Sequence, residues 1–255
     1  MKFYKILEKI LEAKNISFKE FYDSADIVEK RILEEYGALF VAHDGVIIPT
    51  KIVFKSEVEV SEFQSNLQIS KENIGGFDLQ LQSAAMKNLL KSIEEAGENN
   101  LSITPRGADS ARRDYAQTVN LWASRVNPAL EHWSKAGKLS KKEADKIRSL
   151  LPFEQVPEIF KLEEKGVFFS KDLSKSIVYS VAPPGTSQHL ALLAFDAAEY
   201  KNERVREILA KNGWFQTVVS DLPHFTYLGV KESKLSNLGL KKVENCGQVF
   251  WIPNI

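Results

Sequence analysis

Two histidines and one aspartate lie close together in the C-terminal third of the chain. His189 and Asp196 are seven residues apart, and His224 follows 28 residues after Asp196. The chain contains only four histidines, so half of them fall in this short region. Two imidazoles and one carboxylate suit a catalytic zinc ion, because three protein ligands leave one tetrahedral position open. The three residues are therefore a candidate metal site.

A second carboxylate, Asp221, lies three residues before His224. No other acidic residue occurs in the ten positions before His224, so Asp221 is the local candidate for a general base. Such a base accepts a proton from the attacking water and passes it to the leaving amine. Pro223 disfavours helical backbone at the residue before it, which predicts irregular or strand-like backbone between Asp221 and His224.

The spacing of these residues resembles the zinc-binding pattern of the LAS metallopeptidases. This superfamily includes D-alanyl-D-alanine carboxypeptidases and the vancomycin-resistance dipeptidases and carboxypeptidases. Its first motif is Ser-x-His-x-x-Gly-x-Ala-x-Asp, and residues 187–196 match four of the five fixed positions, with Leu192 in place of the glycine. Its second motif is Glu-x-x-His followed by an aromatic residue, and residues 221–225 match it with aspartate in place of glutamate.

The resemblance implies a zinc-dependent peptidase that cleaves D-amino-acid-containing peptides of the peptidoglycan type. It implies one zinc ion per chain, held by His189, Asp196 and His224. Asp221 would be the general base of this site. The expected partner is a peptide substrate rather than a nucleic acid.

Two further residues are expected to contact the substrate. Family members carry an arginine near the zinc, and Arg106 is its counterpart by order along the chain. Its guanidinium would hold a substrate carboxylate or stabilise the oxyanion. The tyrosine and glutamine that flank the family arginine are missing here. Ser187, the first residue of the first motif, is the other expected substrate-binding residue.

The proposed ligands require a bend in the chain between His189 and Asp196. A continuous helix would separate them by about 10 Å along its axis, and a straight strand would separate them by roughly 23 Å. The family glycine makes such a bend easy, since glycine adopts backbone conformations that other residues avoid. Leu192 lacks that freedom, so the position of the bend is open.

Other interpretations of these residues remain. His189 could be a loop histidine, Asp196 could cap a helix near Ala197, and His224 could be half-buried in an aromatic strand. A serine hydrolase based on Ser187 and His189 is a weak alternative, because no nucleophile-elbow pattern surrounds the serine. The stronger alternative is a non-catalytic binding protein on the same fold that keeps the metal as a structural clip.

Composition is that of an ordinary globular protein of 255 residues, with 44% hydrophobic and 27% charged residues. Basic and acidic residues both number 34, so no overall charge attracts nucleic acid or an anionic membrane. The single cysteine, Cys246, excludes an intramolecular disulfide. The N-terminal pattern predicts an amphipathic helix rather than a signal peptide, which favours the cytoplasm. Mature peptidoglycan as the substrate would instead require the cell envelope.

The periodicities predict an α+β fold, with an antiparallel sheet core flanked by helices, as in the LAS metallopeptidases. Residues 1–76 are expected to form an N-terminal helical and hairpin extension packed on the core. Residues 77–255 would form the peptidase-like domain, with a helical insertion near 109–165. Strands are expected at 38–42 and 46–48 around His43-Asp44-Gly45, and at 175–182, 214–218, 225–228 and 249–252. Helices are expected at 79–96, 116–133 and 199–211.

Overall fold

The computed structural model describes residues 2–43 and 45–255. The chain divides into two compact units. The first comprises Met1–Ile52, Ser61–Arg113 and Gln188–Ile255, and the second comprises Val53–Val60 and Asp114–Ser187. The predicted boundary at residue 76 falls inside the first unit. The predicted insertion near 109–165 overlaps the second unit, which continues to Ser187.

The first unit begins with helices α1 (Lys2–Ala13), α2 (Phe18–Phe21) and α3 (Ile27–Tyr36). Phe3, Leu7 and Leu11 lie on one face of α1 and are fully buried, as amphipathic periodicity predicts. The predicted strand at 38–42 is wrong, because Gly37–Val41 form a 3₁₀ helix whose residues are all buried. Asp44, in the predicted hairpin turn, lies outside the described residues.

Three small antiparallel sheets follow in this unit. β1 (Ile69–Ile74) pairs with β2 (Phe77–Gln82), and β6 (Leu240–Asn245) pairs with β7 (Gln248–Pro253). The middle sheet has the order β3, β5, β4, formed by Ala194–Asp196, His224–Tyr227 and Trp214–Phe215. The α+β class with antiparallel strands is thus confirmed, and the strands near 214, 225 and 249 are where the sequence predicts them.

Further helices precede and separate the strands along the chain, and the first of them, α4 (Glu57–Ser65), begins in the second unit and ends in the first. Helix α5 spans Ser83–Glu98, and α9 spans Glu203–Lys211. The helix predicted from residue 79 begins only at Ser83, because Phe77–Gln82 form strand β2 with Leu79 and Leu81 buried on one face. Asn202 caps α9, since its side chain accepts a hydrogen bond from the Arg204 N–H.

The second unit is mainly helical, with α6 (Tyr115–Lys135), α7 (Lys141–Ser149) and α8 (Gln155–Glu163). Capping boxes open both α6 and α7, the second through Ser140 and Glu143. The predicted strand at 175–182 is wrong, because Ile177–Tyr179 form a 3₁₀ helix. None of the described helices is long and apolar enough to cross a membrane.

Candidate metal centre

The register of the middle sheet brings Asp196 and His224 together. Asp196 in β3 lies directly opposite His224 in β5, so the two side chains share one face of the sheet. Phe195 and Phe225 are also opposite one another, and they lie on the other, apolar face. The His224 Nδ1 atom lies 3.1 Å from Asp196 Oδ1. Side chains alternate between the two faces of a strand, and this alternation determines which residues of 194–196 and 224–227 face the site.

A tight turn brings His189 to the same place. Gln188–Ala191 form one 3₁₀ turn, and Leu192 follows with a left-handed φ of 57°. The Leu192 N–H donates to the His189 carbonyl, which closes the turn. His189 Nε2 then lies 3.4 Å from Asp196 Oδ1. The bend that the two candidate ligands require is thus at Leu192 itself, in a backbone conformation that glycine adopts without strain.

His189, Asp196 and His224 form a compact, buried cluster. Their candidate ligand atoms all lie within 4.8 Å of one another. The residues are 1%, 9% and 5% exposed, respectively. Within the described part of the chain, no other group of three histidine, cysteine or acidic side chains meets this geometry.

The protonation of His189 shows that this cluster fits a cation. Its Nδ1 atom lies 2.9 Å from the Ala111 carbonyl oxygen, which can only accept a hydrogen bond, so Nδ1 carries the proton of the neutral ring. Nε2 is therefore the lone-pair nitrogen, and it is buried with no hydrogen-bond partner among the described residues. A lone pair directed at a carboxylate oxygen is unfavourable unless a cation lies between them. Zinc ligated by this nitrogen and the carboxylate satisfies both atoms.

Charges around the cluster keep the candidate ligands in their metal-binding forms. Burial lowers the pKa of His189, and the positive charge of Arg113 lowers it further. For Asp196, burial alone would raise the pKa, but protonated rings of His189 and His224 would donate to this carboxylate and outweigh burial, so its pKa lies well below the ordinary range. A neutral imidazole and an ionised carboxylate are the forms that bind metal ions.

An arginine that the sequence motifs do not indicate contacts the cluster. One terminal nitrogen of Arg113 donates to Asp196 Oδ2 at 3.2 Å and lies 3.9 Å from an oxygen of Asp109. Arg106 is placed differently, since its backbone N–H donates to the Asp196 carbonyl and its side chain is exposed. The guanidinium beside the candidate ligands is therefore that of Arg113. The sequence carries no local signal for this contact, because Arg113 and Asp196 are 83 residues apart.

Asp221 and Ser187 lie close to the ligands in sequence. The Asp221 carbonyl accepts a hydrogen bond from the His224 N–H at 3.1 Å, which closes a four-residue turn just before β5. Asp221 is exposed at this turn. Ser187 is buried and is the last residue of the second unit. Their predicted roles in proton transfer and substrate binding stay predictions.

Gln188 is a second contact residue that the motif comparison does not indicate, because it occupies a variable position of the first motif. Its Oε1 atom lies 2.8 Å from His224 Nε2, and it also accepts a hydrogen bond from the Thr226 hydroxyl. Its Nε2 atom donates to the Tyr36 carbonyl at 2.9 Å. Gln188 is 2% exposed, so these contacts form away from water.

The chain has a weak structural similarity to a protein of known structure. No family model matches the chain, and no curated protein matches it. Among solved structures, the chain is similar to a variant of the vancomycin-resistance D,D-pentapeptidase VanY, from a VanB-type resistance cassette, in complex with Zn(II). The identity is 13% and the TM-score 0.36, over 72% of this chain and 86% of that one. Similarity at this level assigns no activity to this chain, so function is argued from the site residues.

Proposed function

We propose that this protein is a zinc-dependent peptidase of the LAS type, acting on peptides that contain D-amino acids near the C-terminus. The observation that carries the proposal is the convergence of His189 Nε2, His224 Nδ1 and Asp196 Oδ1 in one buried cluster. Two imidazole nitrogens and one carboxylate oxygen are the ligands of a catalytic zinc site. Zinc held there would polarise the scissile carbonyl and make hydroxide available near neutral pH.

The chain's own residues supply the remaining steps. Asp221 is proposed to take the proton from the attacking water and to return it to the leaving amine. Its exposure at the turn before His224 leaves its carboxylate accessible to substrate and water. The aspartate is one methylene shorter than the family glutamate, so it must approach the reacting atoms more closely.

Arg113 is proposed to bind the negative charge of the substrate or of the oxyanion. Its guanidinium is largely buried beside Asp196, and its Nε atom is buried without a hydrogen-bond partner. An oxyanion or a terminal carboxylate pairs with the N–H groups of a buried cation whose position is fixed. Arg106, which the motif order favours for this role, is the second candidate, and single substitutions of the two arginines decide between them.

A non-catalytic protein with a structural metal is the alternative function. The burial of all three candidate ligands favours it, because structural zinc sites are closed while catalytic sites keep one position open to substrate. The same chain would then use the ion to hold the turn at 188–192 against strands β3 and β5.

The deciding experiment combines metal analysis with a peptide assay. The purified chain, loaded with zinc, is incubated with N-acylated peptides ending in D-Ala-D-Ala, and released D-Ala or D-Ala-D-Ala is measured by mass spectrometry. We expect cleavage that is lost in Asp221→Asn, while that variant retains one zinc ion per chain. Stoichiometric zinc without cleavage of any such peptide would establish the structural alternative, and absence of zinc binding would overturn both.

A further inference from the structure

We propose that Gln188 is a positioning residue that fixes the tautomer and the ring orientation of His224, so that Nδ1 is the nitrogen available to a metal ion. This inference rests on the metal site of the proposed function and does not depend on which peptide, if any, is cleaved. It assigns a role to a side chain that lies in neither the ligand set nor the proton-transfer step.

The direction of every hydrogen bond around Gln188 follows from the Tyr36 carbonyl. A carbonyl oxygen can only accept, so the Gln188 atom 2.9 Å from it is the amide nitrogen. The other end of the amide, facing His224, is then the oxygen. An amide oxygen also only accepts, so His224 Nε2 must carry a proton to pair with it at 2.8 Å. In the neutral ring, Nδ1 is thereby left with its lone pair.

Two threonines reinforce this arrangement. The Thr226 hydroxyl donates its only proton to Gln188 Oε1, so the contact of 2.6 Å between Thr217 and Thr226 must be donated by Thr217. All these groups are buried, and both threonines are fully so. Rotation of the Gln188 amide would break several buried hydrogen bonds together, each of which costs free energy when left unmade. The amide is therefore held with its oxygen toward His224.

Without this contact, Asp196 would compete for the same proton. A proton on His224 Nδ1 would be accepted by Asp196 Oδ1, which is 3.1 Å away. That tautomer removes the lone pair that faces the cluster and so blocks metal binding. His189 has the corresponding support from a backbone group, the Ala111 carbonyl. A hydrogen bond from the outer ring nitrogen of a ligating histidine is a general way to fix its tautomer and raise metal affinity.

The test uses three variants of the full chain. Gln188→Met keeps an unbranched side chain but removes the acceptor, and Gln188→Glu keeps an acceptor oxygen. Gln82→Met is the matched control, because Gln82 is equally buried and its amide nitrogen donates to the Ala191 carbonyl in the same 3₁₀ turn and to the Ile47 carbonyl. It therefore loses buried hydrogen bonds near the site without a contact to either histidine.

The first readout is ¹⁵N NMR of the histidine rings in metal-free protein, at a pH well above the ordinary histidine range. We expect the proton of His224 on Nε2 in the parent, in Gln82→Met and in Gln188→Glu. In Gln188→Met the proton should move to Nδ1 in a substantial fraction of molecules. The second readout is the zinc dissociation constant, measured by chelator competition. It should rise roughly 10- to 100-fold in Gln188→Met and stay unchanged in Gln82→Met.

The outcomes separate this inference from the proposed function. A parent protein with the His224 proton on Nδ1 would overturn the inference, whether or not any variant folds. Equal zinc affinity in the parent and Gln188→Met, with peptide cleavage intact, would overturn it and leave the proposed function standing. A parent that binds no zinc would overturn the proposed function, while the NMR result would still decide the tautomer of His224.

Discussion

Leu192 is the residue at which strain and packing oppose one another most clearly. Its φ of 57° lies in the left-handed region, which costs a residue with a side chain about 1–2 kcal/mol. Its side chain is fully buried, and truncation of a buried leucine to alanine costs about 2–5 kcal/mol. We infer that the burial of this side chain offsets the backbone strain of the turn between His189 and Asp196.

The test compares alanine and glycine at Leu192. Leu192→Ala loses the packing and keeps the strain, so it should reduce the free energy of unfolding by about 3 kcal/mol. Leu192→Gly loses the same packing and relieves the strain, at an entropic cost of about 0.5–1 kcal/mol. The glycine variant should therefore be more stable than the alanine variant by about 0.5–1 kcal/mol.

Leu190 provides the matched control. It is equally buried, belongs to the same turn, and has no left-handed φ. Here glycine should be less stable than alanine by about 0.5–1 kcal/mol. The four variants are measured by urea unfolding of metal-free protein. If glycine is the less stable substitution at both positions, Leu192 is not strained in solution and the reasoning fails.

The remaining predictions concern the site. Replacing His189 or His224 by alanine should abolish stoichiometric zinc after dialysis, and unchanged zinc content in both would remove the ligand assignment. Asp221→Asn should keep zinc and stability and lose most peptide turnover, and an unchanged rate would exclude it as the base. Because burial makes the pKa of His189 lower in the folded than in the unfolded chain, the unfolded state binds more protons as pH falls below about 6.5. Metal-free protein should therefore lose stability on acidification through this range, and His189→Gln should remove that part of the loss in urea titrations against pH. Arg113→Met should bind zinc at least as tightly as the parent and cleave D-Ala-D-Ala peptides far more slowly, whereas slow cleavage in Arg106→Met alone would assign the anion-binding role to Arg106.

The motif resemblance predicts that His189, Asp196 and His224 meet, and the structure brings these three side chains together. Asp196 and His224 face one another through the antiparallel register of β3 and β5, and this register could not be predicted, because a strand at 225–228 does not indicate its partner strand. The bend at Leu192 could not be predicted, since glycine and, less often, asparagine or aspartate indicate a left-handed residue in a sequence, and leucine does not. Burial of the leucine side chain in the folded protein offsets the backbone strain of this turn.

Errors in the predicted elements have a common physical origin. Residues 38–42 are all apolar and all buried, so their hydrophobic pattern cannot distinguish a strand from a 3₁₀ helix. Leu79 and Leu81 alternate in strand β2, yet the apolar residues after them continue with helical spacing into α5. The hydrophobic spacing changes from that of a strand to that of a helix at Ser83, and no turn-forming segment marks the change. Contacts such as those of Gln188 and Arg113 depend on segments distant in sequence, which no local pattern encodes.

The position of Arg113 bears on the choice between a catalytic and a structural metal. Its positive charge lies 3.2 Å from an oxygen of Asp196, the single carboxylate among the candidate ligands. Burial is the larger cause that keeps His189 neutral, so the main effect of this cation on a metal ion at the site is repulsion, and a site that only holds zinc gains little from it. An anionic substrate group, or an oxyanion formed during hydrolysis, gains a fixed positive charge in a region shielded from water. Tighter zinc binding together with slower hydrolysis in Arg113→Met would therefore indicate a catalytic site. Tighter zinc binding with no hydrolysis by either protein would indicate a structural metal site.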